Sequence, residues 1–195
     1  MDEPCGRGVS LWLMPEGDAR DRLQALIGRL AARFGTPSFP PHVTVLPGIE
    51  GRSEGDVLGS TCALGATLRP FPVRLHGLQG RDEPFRCLFA RAAADEPLLS
   101  AHREAAQAFG RTPDPAFLPH LSLVYGTLAS GVKEGLVAEL ATEAALSFGA
   151  RALHVWRTEG PVGGWREIGV SSLPVRQDTP VSLFGNTGCA PRPDR

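Results

Sequence analysis

The sequence has no excess of charge of either sign: 20 Lys and Arg residues nearly match 21 Asp and Glu residues, for a formal net charge of −1. A protein that holds long nucleic acids electrostatically needs a strongly basic face. The composition therefore argues against a broad nucleic-acid interface. It leaves room for a small phosphorylated ligand, because a local pocket can be positive on a neutral protein.

Cysteine is sparse and scattered, at Cys5, Cys62, Cys87 and Cys189. No two cysteines form a Cys-x-x-Cys pair, and no histidine lies at the spacing of a zinc ligand. We therefore expect no disulfide framework, although a Cys62–Cys87 or a Cys5–Cys189 bridge stays open. The sequence also offers no carboxylate cluster of the kind that binds Mg²⁺, and we expect neither a metal nor another cofactor.

Long apolar runs are missing as well, since none approaches the roughly 20 residues that a membrane-spanning helix needs. Residues 1–8 are polar and acidic, unlike a signal peptide. We expect a cytoplasmic monomer with no membrane partner. Residues 1–184 are long enough for one bilobal catalytic domain, and residues 185–195 have the Pro-, Gly- and Arg-containing composition of a flexible tail.

What the sequence does contain is one unit present twice. In each copy a strand precedes an amphipathic helix that ends in Phe-Gly, and a Pro-bearing loop then leads to a strand beginning Pro-His. The matching segments are residues 34–45 and 109–123. A single duplication predicts two related lobes rather than a solenoid. We expect an α+β fold in which two pseudo-twofold-related lobes with antiparallel sheets face a central cleft, with helices outside.

Two local predictions concern the aromatic residues. A strand over residues 85–91 would place Phe85, Cys87 and Phe89 on one face. The last two strands, near 152–158 and 165–173, carry Trp156 and Trp165. These tryptophans either flank a turn near the cleft or pack the hairpin, and we favour packing.

The motif strands at 42–45 and 120–123 place the same kinds of side chain on one face. Residues i and i+2 of a strand point the same way, so His42 lies beside Thr44 and His120 beside Ser122. Histidine titrates near neutrality, so one ring can be neutral while the other is protonated. Such a pair supplies a general base and a general acid, and hydroxyls can donate to phosphate oxygens. The pattern indicates attack of water on a phosphodiester, best of all a strained cyclic phosphate.

A single His-x-Thr or His-x-Ser is more often structural than catalytic. Repetition in the same Pro-His-apolar-hydroxyl-apolar context favours a functional pair. The other histidines, His76, His102 and His154, lack a hydroxyl residue two positions later. We interpret those three as structural or surface residues.

The segments HVTV at 42–45 and HLSL at 120–123 resemble the paired H-x-[ST]-x motifs of the two-histidine (2H) phosphoesterases. Within that superfamily the sequence is most similar to the plant and yeast cyclic phosphodiesterases. Residues 10–15, SLWLMP, resemble their tryptophan-bearing first strand, and residues 117–126, FLPHLSLVYG, their second motif with its trailing tyrosine. The resemblance runs from about residue 9 to about residue 173.

The resemblance implies metal-independent hydrolysis of ribose cyclic phosphates. The implied substrates are nucleoside 2′,3′-cyclic phosphates, which give 2′-phosphates, and ADP-ribose 1″,2″-cyclic phosphate, a tRNA-splicing by-product that gives the 1″-phosphate. On this analogy His42 and His120 divide the base and acid roles, and Thr44 and Ser122 hold the phosphate. The near symmetry of the motifs leaves open which histidine is the base.

Two further site residues are implied by the resemblance. Trp12 would contact the nucleoside, although a core position is an equal alternative. Tyr125 would line the phosphate site. Strict alternation from His120 puts Tyr125 on the wrong face, so it reaches the cleft only if the strand ends or bulges first, which Gly126 favours.

Three alternatives stay open. A 2H enzyme could process RNA ends that carry a 2′,3′-cyclic phosphate or a 2′,5′ linkage, which predicts a basic groove and salt-sensitive RNA binding. A non-catalytic nucleotide-binding module would keep the fold, although both histidines and both hydroxyl residues are present. A zinc-binding protein is the weakest alternative, because ligand spacing is absent. The expected partner is a small cyclic phosphate or nucleotide, with RNA ends as a second candidate.

Overall fold

The computed structural model describes residues 4–175. The expected tail at 185–195, the end of the expected domain and Cys189 lie outside this range. Within it, Cys62 is exposed on a helix and Cys87 is buried, and both are free thiols. A Cys62–Cys87 disulfide is therefore not formed.

The described chain alternates between strands and helices, with two short 3₁₀ turns at Pro84–Arg86 and Val162–Gly164. The elements in chain order are β1 (Cys5–Gly6), β2 (Val9–Leu13), α1 (Gly17–Phe34), β3 (Val43–Ile49), α2 (Glu54–Thr67), β4 (Phe71–Gly80), β5 (Leu88–Ala92), α3 (Glu96–Ala108), β6 (His120–Val124), α4 (Ser130–Leu140), β7 (Ser147–Ala150), β8 (Ala152–Arg157), β9 (Gly160–Pro161) and β10 (Arg166–Ser172).

Eight of these strands form one antiparallel sheet in the order β10-β8-β2-β3-β6-β5-β4-β7, and β1 pairs with β9 separately. The two motif strands, β3 and β6, are neighbours at the centre of the sheet. Their pairing is short, with Val43 opposite Leu121. The sheet therefore brings the two copies of the motif side by side.

The two lobes are related halves of this sheet, and they exchange helices. Strand β2 leads into α1, but α1 packs against β6 in the other half; β5 leads into α3, which packs against β3. Helix α2 covers β8 and β10, and α4 covers β4. The predicted α+β fold with two related antiparallel lobes is confirmed, and each lobe is completed by a helix from the other copy.

The apolar face of each motif strand explains why the motif side chains point away from the helices. Val43 and Val45 on β3, and Leu121 and Leu123 on β6, are almost completely buried in the core beneath the helices. Alternation then leaves the intervening side chains on the opposite face. Within the described part of the chain, no helix has the length and apolar character needed to cross a membrane.

Two sequence predictions need local correction. Residues 85–91 are not one strand, because Pro84–Arg86 forms a 3₁₀ turn and β5 begins only at Leu88. Proline fixes its own φ and has no N–H to donate, which suits the first position of a helical turn. The first motif strand begins at Val43, so His42 lies at its entrance rather than inside it.

Candidate active site

Both motif histidines are held by the same backbone contact. Nδ1 of His42 lies 2.6 Å from the carbonyl oxygen of Pro40, and Nδ1 of His120 lies 2.8 Å from that of Leu118. A carbonyl oxygen can only accept, so Nδ1 donates in each case. This contact fixes the tautomer and leaves Nε2 of each ring as the atom that can accept or release a proton.

The two imidazoles and the two motif hydroxyls line one cavity of about 380 Å³. The structure thus brings together His42, Thr44, His120 and Ser122 as the sequence predicts. The Ser122 hydroxyl donates to the Phe85 carbonyl oxygen at 2.8 Å. The Thr44 hydroxyl makes no hydrogen bond to any residue in the described range and is available to a ligand.

Tyr125 reaches the site because β6 ends one residue before it, at Val124. The following Gly126 has φ 122°, a conformation that residues with a Cβ rarely adopt, so the chain can turn there. The Tyr125 hydroxyl lies 3.3 Å from His42 Nε2, where it can donate to the neutral ring. The condition set by strand alternation, an early end to the strand, is therefore met.

Trp12 is a wall of the site and a support for His42 at the same time. It lines the cavity, yet it is only 1% exposed. Its ring stacks on His42 at 3.5 Å with an interplanar angle of 8°, and on Trp156 at 4.6 Å. This packing shields the His42 ring from water and leaves little of the Trp12 surface for a nucleoside to contact.

Burial sets the charge state of both histidines. Loss of solvation lowers the pKa of His42 to about 3, against an opposing effect of the Pro40 carbonyl and with a smaller contribution from His120. Burial also lowers the pKa of His120, the Leu118 carbonyl raises it, and the positive charges of Arg86 and Arg81 lower it further. Both rings are therefore neutral near pH 7, and His42, the more deeply buried ring, is the harder of the two to protonate.

Tyr125 is likewise held in its neutral form. Burial raises the pKa of its hydroxyl well above the usual value, and the Ser122 hydroxyl offsets this only in part. The phenol therefore keeps its proton near pH 7 and can donate a hydrogen bond to His42.

The sequence did not reveal several cavity residues. Phe85 and Trp165 line the cavity and stack on each other at 5.9 Å, and Arg7 and Arg86 also border it. The favoured interpretation of Trp165 as hairpin packing alone was wrong, although its Nε1 does donate to the Gly160 carbonyl oxygen. The high Trp and Arg content of residues 155–166 was the available signal for this wall.

The other three histidines lie outside the cavity. His102 bonds through Nδ1 to the Val45 carbonyl oxygen and accepts through Nε2 from the Asp114 amide, so both of its nitrogens are used. His154 pairs with Glu167, and His76 is exposed. Among residues 4–175, no group of three or more His, Cys, Asp or Glu side chains is placed to hold a metal ion.

This fold, with a duplicated histidine–hydroxyl motif in one cavity, defines a 2H phosphoesterase. The family model described as cyclic phosphodiesterase-like protein matches residues 7–173. The chain therefore belongs to the cyclic phosphodiesterase-like family and is a phosphodiesterase.

Individual relatives agree with this assignment. A cyclic phosphodiesterase of Arabidopsis thaliana is 24% identical over 136 residues, which cover 69% of this chain and 74% of the relative. TT0787 of Thermus thermophilus is 21% identical with a TM-score of 0.54, over 85% of this chain and 97% of that one. E. coli LigT in complex with 3′-AMP is 12% identical with a TM-score of 0.54, over 86% and 98%. At these identities the two solved structures show a shared fold.

Proposed function

We propose that the protein hydrolyses ribose cyclic phosphates with His42 and His120 as general base and general acid and without a metal. Its substrates are nucleoside 2′,3′-cyclic phosphates, which it converts to 2′-phosphates, and ADP-ribose 1″,2″-cyclic phosphate, which it converts to the 1″-phosphate. The observation that carries the proposal is the matched pair of Nδ1–carbonyl bonds, which leaves Nε2 of two imidazoles to serve one cavity.

The two histidines are not equivalent, and their difference supports one division of the roles, with His42 as the base and His120 as the acid. A base must be neutral, and the lowered pKa of His42, about 3, keeps it so. His120 is less buried than His42, and a bound phosphate anion favours its protonated form. The Tyr125 hydroxyl first turns away from His42 Nε2. His42 Nε2 then takes a proton from water as the water oxygen bonds to phosphorus, and His120 Nε2 gives a proton to the departing ribose oxygen as the bond between that oxygen and phosphorus breaks. Exchange with solvent then restores both rings.

The hydroxyl groups hold the phosphate during this exchange. Thr44 donates directly to a non-bridging oxygen, because its hydroxyl has no competing partner among the described residues. Ser122 first gives up its bond to the Phe85 carbonyl oxygen. Arg86, at the edge of the same cavity, supplies a positive charge to the anion.

A small nucleotide is the ligand class that suits the cavity. Phe85 and Trp165 offer aromatic surface on which a base can pack. The fold neighbour LigT of E. coli has been solved with 3′-AMP, with NADP+ and with ATP, which supports a nucleotide as the ligand here. Trp12 and Tyr125 serve His42 rather than the base in this proposal.

The test of the substrate claim is product identity. Purified protein is incubated with adenosine 2′,3′-cyclic phosphate and with ADP-ribose 1″,2″-cyclic phosphate, and the products are separated against authentic standards. The proposal predicts adenosine 2′-phosphate and ADP-ribose 1″-phosphate, each lost with the His120→Ala variant. A 3′-phosphate product, or no turnover of either compound by folded protein, contradicts it.

A further inference from the structure

A second cavity, of about 600 Å³, adjoins the catalytic one. The two cavities share Thr44, Arg86 and His120 in their linings. The second one is bordered in addition by Arg81 and Arg111. A ligand whose phosphate reacts at the histidines can therefore extend in two directions, toward the aromatic wall or toward these arginines.

The second cavity is positively charged because its arginines outnumber the nearby carboxylates. Arg81 and Arg86 share one carboxylate, with Arg81 Nη1 at 3.4 Å and Arg86 Nε at 2.9 Å from Glu83 oxygens. Arg111 makes no ion pair with any described residue. Three guanidinium groups are thus balanced by two carboxylates, that of Glu83 beside Arg81 and Arg86 and that of Asp114 in the lining, which leaves one net positive charge.

The arginines are also held in place. Arg111 Nη1 donates to the Pro47 carbonyl oxygen at 2.5 Å. Arg81 is exposed enough to meet a ligand, and its charge acts on the catalytic site, since it contributes to the lowered pKa of His120. These side chains are arranged around a cavity rather than scattered over the surface.

His102, which lines this cavity together with His120, does not compete as a ligand group. His102 donates from Nδ1 to the Val45 carbonyl oxygen and accepts at Nε2 from the Asp114 amide, so both of its ring nitrogens are used. Its ring stacks on Phe117 at 3.9 Å, which braces the loop that forms the opposite wall. The cavity therefore has one wall braced by the stacked rings of His102 and Phe117 and another wall formed by arginines. The planar guanidinium group of arginine can donate paired hydrogen bonds to the oxygens of a phosphate group.

The shape of a nucleotide connects the two cavities. In a nucleoside 2′,3′-cyclic phosphate the base on C1′ and the C5′ carbon on C4′ lie on the same face of the ribose, opposite the cyclic phosphate, and they diverge from either side of the ring oxygen. With the cyclic phosphate at the histidines and the base on the Phe85–Trp165 wall, C5′ can therefore extend into the second cavity, which shares His120 and Arg86 with the first. We propose that Arg81 and Arg111 bind a second phosphate, attached to O5′ of the ribose whose cyclic phosphate is hydrolysed. This inference rests on the proposed function.

The kinetic test compares substrates that differ only at O5′. The three substrates are adenosine 2′,3′-cyclic phosphate, its 5′-phosphorylated form, and the dinucleotide ApA with a 2′,3′-cyclic end. Since a hydrogen bond to a charged group contributes about 1.5–3 kcal/mol, kcat/KM rises about tenfold or more with the 5′-phosphate in wild-type protein. An equal gain with the dinucleotide identifies an RNA end as a ligand, and a gain with the monoester alone identifies a free 5′-phosphate.

Two variants and a matched control locate the effect. Arg111→Met and Arg81→Met each lower the ratio of the two mononucleotide kcat/KM values by about tenfold, because each removes one charged donor. Arg52→Met is the control: Arg52 is exposed and donates to the Phe109 carbonyl oxygen as Arg111 does to Pro47, but it lines neither cavity. The proposal is overturned if wild-type protein has the same kcat/KM for both mononucleotides, or if Arg52→Met lowers the ratio of the two kcat/KM values as much as the other two variants do.

Direct binding separates this proposal from the proposed function. Inorganic pyrophosphate is titrated calorimetrically into wild-type protein and the same variants. The dissociation constant rises about tenfold with Arg111→Met and Arg81→Met and is unchanged with Arg52→Met. This result with no turnover of any cyclic phosphate would reject the hydrolase and keep the anion site. Equal or undetectable binding in all four proteins rejects the anion site.

Discussion

The two motif histidines make the same backbone contact, but their properties differ because their other neighbours differ. His42 lies beneath Trp12 and against Tyr125, so burial dominates its pKa. His120 is less enclosed, and Arg81 and Arg86 act on it electrostatically. The symmetry of the duplicated motif is thus broken by residues outside the motif, which is why the motif alone left the base and acid roles open.

The lowered pKa of His42 has a consequence for stability. Between pH 6.5 and about 3 the unfolded chain binds a proton at His42 that the folded chain does not, so the free energy of unfolding falls as pH falls through this range. The slope from one such group is at most about 1.4 kcal/mol per pH unit. We expect His42→Asn, which keeps a donor near the Pro40 carbonyl, to make the measured slope shallower.

Urea unfolding at several pH values between 4 and 7 checks this expectation. The control is His76→Asn, which removes a histidine from an exposed position on β4. The variant at His76 should reproduce the wild-type slope. If the His42 variant has that slope too, the neutral, buried state of His42 is refuted.

Tyr125 provides a second residue-scale prediction. Tyr125→Phe removes the hydroxyl 3.3 Å from His42 Nε2 but keeps the ring that stacks on Phe39 at 3.8 Å. Because one hydrogen bond contributes about 0.5–1.5 kcal/mol, we expect kcat/KM for a cyclic nucleotide to fall roughly 2- to 12-fold. Steady-state kinetics with adenosine 2′,3′-cyclic phosphate measure this change in kcat/KM. An unchanged kcat/KM would show that the Tyr125 hydroxyl does not assist His42.

At the scale of elements, the loop between β4 and β5 is fastened to helix α4 by one buried cation. Lys133, the single lysine of the chain, is 7% exposed. Its Nζ donates to the Arg81 carbonyl oxygen and to the Asp82 carboxylate, and its stem packs on Gly80. This loop also carries Arg81, Phe85 and Arg86, which line the two cavities, so the contacts of Lys133 help to position these site residues.

Because Lys133 is buried, we expect substitutions of Asp82 and of Lys133 to lower the free energy of unfolding by different amounts. Asp82→Ala leaves the buried Lys133 ammonium without its anion and should lower the free energy of unfolding by about 1–3 kcal/mol. Lys133→Met removes the charge and keeps the stem against Gly80, and should cost less than about 1 kcal/mol. Urea unfolding at pH 7 gives both values. A larger loss with Lys133→Met than with Asp82→Ala would contradict this account.

On the scale of the whole molecule, the duplicated pattern predicted the two lobes and the shared cavity. Periodicity identified α1, α3 and the apolar faces of β3 and β6, because these features are local. The exchange of α1 and α3 between lobes was not predicted, since it depends on packing between distant segments.

The same reason explains which site residues were missed. His42, Thr44, His120 and Ser122 belong to the repeated motif, and the structure assembles them as the sequence indicated. Trp165 enters the cavity through a turn between β8 and β10, and Arg111 through the loop after α3. The Trp and Arg content of residues 155–166 left a cleft position for Trp165 open without deciding it, and nothing in the sequence around Arg111 indicated a cavity.

The central claim is that two histidines carry out the reaction without a metal, and one assay tests it most directly. Protein treated with EDTA is assayed on adenosine 2′,3′-cyclic phosphate beside His42→Ala, His120→Ala and the control His76→Ala. We expect wild-type and His76→Ala activity to survive EDTA, and each catalytic variant to lose about 10²- to 10⁴-fold in kcat, since general acid–base catalysis contributes that much. Activity that disappears with EDTA and returns with a divalent cation, or that persists in both catalytic variants, would contradict the account.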